Sequence, residues 1–245
     1  MNSVNVSYNK FNGSLKLESL PDTLTHFIAF RNQFSGSVDL TRLPAALEFL
    51  NLLENLLSGP VVLTQLPGNL KALYLINNHF TGLIDLETLP ERIDKLHVAD
   101  NELRGSLKLD SLPDTLAHFD AECNEFSGSV DLSRLPVGLV VLDVEINWLS
   151  GSVVLTELPS SLEELSLSSN EFSGCLDLTR LPSSISSLRV NENAFSGTVD
   201  LSQLPRGLQH LDLSENALSG DVFLSREFFR RVRVGNTKLI KRQIK

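Results

Sequence analysis

The feature that most constrains this chain is a beat of 23 residues. Asparagine recurs at 9, 32, 55, 78, 101, 124, 147, 170, 193 and 216 with no insertion or deletion. A glycine follows each one four residues later, from Gly13 to Gly220, and prolines keep the same spacing from Pro21 to Pro205. A unit this short cannot close an apolar core on its own, so units must stack and bury their apolar rows against neighbours. Aligned, they read LPxxLxxLxLxxNxFSGxVDLxx.

Each segment of that consensus has a physical reading. The xLxLx stretch alternates with period two, as a strand with one buried face does. Repeated through the array it predicts a parallel sheet of ten strands, roughly 45–50 Å long at about 4.8 Å per strand. The asparagine closes the strand, its amide satisfying backbone groups at the bend and forming a ladder from unit to unit. The glycine suits a turn that needs positive φ. Phe or Leu stands two after every asparagine from Phe34 to Leu218, an expected apolar spine. A second short strand is expected at SVDL, and Trp148 is expected partly buried on the flank.

The LxxLxLxxN segment resembles the signature of leucine-rich repeats. FSGxV is similar to the plant-type subclass, and LP followed by SVDL to repeat arrays of kinetoplastid protists. A fainter similarity is to bacterial effector repeats, which use shorter units. The resemblance covers residues 1–224, about ten units with the first one partial, and leaves 225–245 as a basic C-terminal cap or tail. It implies an α/β-type, strand-rich solenoid: a leucine-rich-repeat horseshoe with a parallel sheet on the concave face and few regular helices. It says little about function, because such repeats are a scaffold with many uses.

A longer period is superimposed. SLKLESLPDTLTHF at 14–27 returns as SLKLDSLPDTLAHF at 106–119, and VVLTQLP at 61–67 as VVLTELP at 153–159. The shift is 92 residues, four units, so the array reads as a copied four-unit block.

Charge is unevenly spread. The net charge of −9 hides a segment, 225–245, with eight basic residues and one acid, Glu227, and a remainder with a net charge of −16. An acidic body argues against the whole chain acting as a nucleic-acid clamp. No apolar run reaches the roughly 18 residues of a membrane-spanning helix. The start has neither a basic segment nor an apolar core, and there are no cysteine caps; together these favour an intracellular setting. Val4 to Asn9 already lie inside a strand with no polar cap before them, so the expectation is an excised fragment or an end that something covers. At the other end Phe228 stands where the next proline falls due. Phe228 and Phe229 are expected to cover the last coil, and Val232 and Val234 to form a shortened last strand.

Function, on this reading, sits on the outward positions of the strands. In the first block they are apolar or aromatic: Ile28, Phe30, Phe49, Leu53, Tyr74 and Ile76, with His97 at the boundary. In the second they are acidic: Asp120, Glu122, Asp143, Glu145 and Glu164. The framework was copied while the outward chemistry changed, and a contiguous exposed apolar patch marks a contact site. Three readings of the acidic stretch stay open: a solvated face that keeps the rod soluble, a groove for a basic partner, or a cation shared by neighbouring carboxylates such as Asp120 and Asp143. Catalysis is not expected. There is no phosphate-binding loop, zinc-protease or serine-hydrolase motif, and no cofactor or metal site is read. Cys123 and Cys175 are expected on different faces. The chain therefore reads as a non-enzymatic protein–protein interaction module binding a protein partner on the concave face. The alternative is a structural subunit of a larger, possibly RNA-containing assembly. The bare N-terminal edge and the tail cations Arg230, Arg231, Arg233, Lys238, Lys241 and Arg242 would anchor it, with RNA or an anionic surface as the tail's target. Oligomeric state is left open.

Overall fold

The computed structural model describes residues 2–244; Met1 and Lys245, the last of the tail's basic residues, lie outside the described residues. The chain winds as a solenoid of two parallel sheets, each of eleven strands in chain order. The first sheet runs from Ser3–Asn5 through His26–Ile28, Phe49–Asn51, Ala72–Tyr74, Lys95–His97, His118–Asp120, Val141–Asp143, Glu164–Ser166, Ser187–Arg189 and His210–Asp212 to Val232–Arg233. Its register is that of the repeat: His26 lies beside Phe49, and Asp120 beside Asp143. The second sheet begins at Asn12–Gly13 and ends at Lys238–Gln243. Helix is confined, among the described residues, to three single 3-10 turns and the segment Phe228–Arg231. The tail thus adds one strand to each sheet, giving eleven where the repeat alone predicted ten.

The core lies between the sheets. Leu50, Leu73, Leu96, Phe119 and Leu142 point inward from successive strands, and Phe80, Phe126, Phe172 and Phe195 form a fully buried spine. Phe172 and Phe195 stack with ring centroids 6.3 Å apart. Every LPxxL segment closes the same turn: the proline carbonyl accepts the N–H of the leucine or isoleucine three residues on, as in Leu24 to Pro21 at 2.9 Å. The asparagine ladder is present throughout. Asn147 donates through Nδ2 to the carbonyls of Ala121, Val144 and Glu145, and its Oδ1 accepts the N–H of Phe126 in the preceding unit at 3.0 Å. Gly128, at φ 83°, makes the turn that only glycine adopts without strain.

Two sequence expectations are corrected here. The second strand falls on the xFSG segment, for example Gln33–Gly36 and Glu125–Gly128, and not on SVDL. In the units that carry the aspartate a local turn occupies this stretch: Asp39 Oδ1 accepts both the N–H and the hydroxyl of Thr41, and Asp131 does the same with Ser133. The units with Lys16, Val62, Lys108 or Val154 there form no strand either. In the last unit the tail offers a pairing strand, Lys238–Gln243, and strand structure runs on through Ala217–Leu224. Trp148 is 57% exposed rather than part of the flank packing, because its side chain points off the outer face of the second sheet.

The residue before each asparagine is left-handed in every unit, at φ between 51° and 54°. Asn77 and Asp100 suit that conformation; Ile146, β-branched and 44% exposed, does not. Ile146→Asn is therefore expected to stabilise the protein by about 1 kcal/mol in urea unfolding. No gain, or a loss, would show that Ile146 packs better than its exposure implies.

Candidate functional site

The outward face of the first sheet is built by alternation: the nine strands from His26–Ile28 to His210–Asp212 each bury a central leucine or phenylalanine and place the first and third residues on the other face, where only the small Ala72, Ser166 and Ser187 are themselves buried. In register, the third positions run Ile28, Asn51, Tyr74, His97, Asp120, Asp143, Ser166, Arg189, Asp212 and Arg233. Phe30, Leu53, Ile76, Glu122 and Glu145 lie two residues further on, where the chain leaves the sheet.

At the apolar end the side chains form a packed row. His26 stacks on Phe49 at 5.8 Å between centroids, and Phe49 tilts against Tyr74 at 5.4 Å. Tyr74 lies flat on His97 at 4.8 Å and 7°, and His97 Nδ1 reaches Asp120 Oδ2 at 3.3 Å. Tyr8 meets Phe30 edge-on. The expected exposed apolar patch is accordingly corrected: Ile28, Phe30, Phe49, Leu53, Tyr74 and Ile76 are all half-buried. Strands about 4.8 Å apart let each side chain cover its neighbour's flank. What faces outward is a pre-ordered ridge of ring edges and methyl groups. Of the large apolar side chains that are more than half exposed, Tyr8 sits against Phe30 at this end, while Leu83 and Trp148 lie on the second sheet.

The acidic end has a structural job the sequence did not disclose. Asp120, Asp143 and Asp212 each accept the N–H two residues on, through Oδ1, which is also what Asn51 does. An Asn or Asp at this position bends the chain off the sheet. Ser166 donates to Glu145 at 2.6 Å. Glu164 is exposed at the first position of its strand, apart from the third-position carboxylates. Burial foremost pushes the Asp143 carboxyl up to about 7, with Asp120, Glu122 and Glu145 adding to the rise against the Glu145 N–H. Burial, then Glu145 and Asp120, also raises Glu122. Among the described residues no three His, Cys, Asp or Glu side chains converge on a metal-sized point. The Cys123 thiol is pushed up to about 12, chiefly by burial, which makes it a poor nucleophile. Cys175 is exposed on the other side, and both thiols are free.

Asp143 gives a pH signature with a definite sign. Its folded value, about 7, lies above the ordinary 3.8, so between those values the folded chain holds the proton more tightly. The stability this contributes is complete below about pH 4 and is lost as pH rises through 7. Asp143→Asn keeps the acceptor for Glu145 N–H and should remove the dependence. The variant is expected to be more stable than the parent by about 2 kcal/mol at pH 8 and equal near pH 4 in urea titrations. Parallel curves for the two proteins across that range would contradict the burial argument.

The tail residues scatter. Arg231 donates to the carbonyl of Leu208 at 2.8 Å and pairs with Glu227. Lys241 donates to the carbonyls of Phe229 and Val232 and lies 4.5 Å over the Phe229 ring; burial lowers its pKa. Arg242 pairs with Asp221, and Arg233 with Asp212 at 3.5 Å. Arg230 and Lys238 are exposed. Phe228, Phe229 and Val234 pack partly buried against the core. Much of the tail's charge therefore holds the last coil together, and Arg231 and Arg233 return to the outward face of the first sheet.

A family model described as Leucine Rich Repeat matches residues 161–188. Over the whole chain, the fold matches a chain in the crystal structure of the Arabidopsis receptor kinase HAESA in complex with the peptide hormone IDA and the co-receptor SERK1. The TM-score is 0.73 at 24% identity, covering 97% of this chain and 42% of that one. The chain is a leucine-rich-repeat solenoid. The solenoid also matches a plant ice-binding protein (TM-score 0.60, 21% identity, 98% of this chain and 73% of that one). It matches YopM from Yersinia enterocolitica as well (TM-score 0.54, 25% identity, 100% and 60%). It spans less than half the length of the HAESA-complex chain. A search of curated protein sequences finds no match.

Proposed function

We propose that this leucine-rich-repeat solenoid is a non-enzymatic interaction module that binds a protein partner on the outward face of its first sheet, the concave side of the horseshoe. The observation that carries the reading is the divergence of outward side chains on a copied framework. Phe27 and Phe119 are buried at equivalent places, while Ile28 and Phe30 become Asp120 and Glu122. The packed row from His26 to His97 supports it, since rings already held in place lose little freedom on binding. Rings of this kind are common interface anchors. The solved HAESA complex contains a peptide hormone and a co-receptor, so the fold supports such recognition there. Apolar contacts near Tyr74 would supply affinity, and the carboxylates from Asp120 to Glu145 would set orientation. The division into a 1–224 array and a 225–245 cap belongs to the same proposal, with the tail closing the last coil. Affinity capture from the native source, with intact chain and Tyr74→Glu as baits, tests the reading. A discrete protein held by the first and lost by the second is expected; equal capture by both would overturn it.

A further inference from the structure

The return of the tail to the first sheet brings together cations that are far apart in sequence. Arg189, His210, Leu211, Asp212, Arg231 and Arg233 line one open depression of about 180 Å³ at the C-terminal end of the outward face. Three guanidiniums stand against Asp212 within the lining and Glu227 on Arg231, a formal charge of +1, with Arg189 and Arg233 the cations not neutralised by the cap. Asp212 does not fill the role of counter-ion for all of them. Its Oδ1 is taken by the N–H of Ser214, and its Oδ2 lies 3.5 Å from Arg233, steering that guanidinium. Arg231 is anchored by Glu227 and by the Leu208 carbonyl, so its position is fixed by the cap. Arg189 has no ion pair or side-chain hydrogen bond among the described residues. The strand register makes this a single place: Ser187–Arg189 pairs with His210–Asp212, which pairs with Val232–Arg233.

We infer that this depression binds the phosphate group of a phosphate monoester. A tetrahedral oxyanion fits the two guanidiniums, Arg189 and Arg233, that the cap leaves available on either side of the His210–Asp212 strand. Guanidinium groups form paired, charge-assisted hydrogen bonds to phosphate oxygens. A monoester carries about −1.5 to −2 charges near neutral pH, enough to engage both Arg189 and Arg233. The site is distinct from the apolar ridge around Tyr74 and does not depend on what binds there.

The test is a nuclear magnetic resonance titration of the full chain at pH 7.5. It uses N-acetyl-O-phosphoserine amide, inorganic phosphate, and sodium chloride at matched ionic strength as probes. Saturable shifts at the side chains of Arg189, His210 and Arg233 are expected with the phosphoserine derivative. They should weaken about tenfold or more in Arg189→Gln and in Arg233→Gln, and stay unchanged in the remote Arg42→Gln. Folding of each variant is checked in the same spectra, and two independent arginines guard against one variant misfolding. Saturation by inorganic phosphate alone would overturn the monoester and leave a free-phosphate site. Equal shifts with chloride, or no saturable shift with any probe, would overturn the site altogether.

Discussion

Asn147→Ala is expected to destabilise the solenoid by about 3 kcal/mol in urea unfolding. The side chain is 5% exposed and holds four backbone groups at once. Removing it leaves the Phe126 N–H without a partner beside a sealed core and takes one of two amide donors from the Ala121 and Val144 carbonyls, which keep only Asn124 and Asn170. Each orphaned buried group costs about 1–3 kcal/mol, partly offset where water reaches the bend. Asn147→Asp should be worse still: it keeps the acceptor for Phe126, loses both donors, and sets a carboxylate against carbonyl oxygens. Asn9 occupies the equivalent place in the first unit but is exposed and makes two bonds, so Asn9→Ala should cost well under 1 kcal/mol. Similar small losses at both positions would mean that the ladder decorates the solenoid and does not hold it. Because each unit touches only its neighbours, the damage should concentrate in the units around residues 101–170. Hydrogen exchange at the Phe126 amide would show that directly.

The second large effect concerns binding. Tyr74→Glu is expected to weaken partner binding at least about 100-fold while leaving the fold intact. The fold is spared because Leu73 and Leu75 carry the core at that strand and are fully buried, whereas Tyr74 is only half-buried on the outward face. Binding suffers twice. The ring that bridges Phe49 and His97 is lost, and a central aromatic anchor contributes on the order of 2 kcal/mol or more. A carboxylate is then carried into the desolvated contact next to Asp94, whose charge, after burial, already raises the Tyr74 hydroxyl. Tyr74→Phe keeps the ring and should lose less than about fivefold. Circular dichroism of the variants separates lost binding from lost structure.

Much of this architecture is legible because a strict period makes each position report ten times over. The asparagine, the glycine and the proline of the LPxxL turn recur with one residue type each, and one backbone task explains each of them. The left-handed residue before the asparagine recurs as often yet leaves no signature. Tyr8, Arg31, Cys123 and Ile146 all occupy it. Hydrogen bonding from the asparagine on its C-terminal side fixes the bend, so the residue itself is free to vary. SVDL misled because Val and Leu at alternate positions look like strand, yet the stretch stays out of the second sheet whether it carries Asp39, bonded to the N–H two residues on, or Val62. The same bond hid the structural share of Asp120 and Asp143, which read from sequence as purely outward charge. Half-burial of the aromatic row depends on contacts between strands 23 residues apart, and the charged depression on the tail folding back. Neither can be read within a single unit.

The most direct test of the recognition surface is to measure the dissociation constant of the captured partner for three proteins: the parent, Tyr74→Glu and Trp148→Glu. The two variants make the same kind of change on opposite sheets, and Trp148 is the more exposed of the two aromatics. Binding lost at Tyr74 and kept at Trp148 is the result predicted for recognition by the first sheet. Binding kept at Tyr74 and lost at Trp148 would place the contact on the second sheet and contradict the proposal.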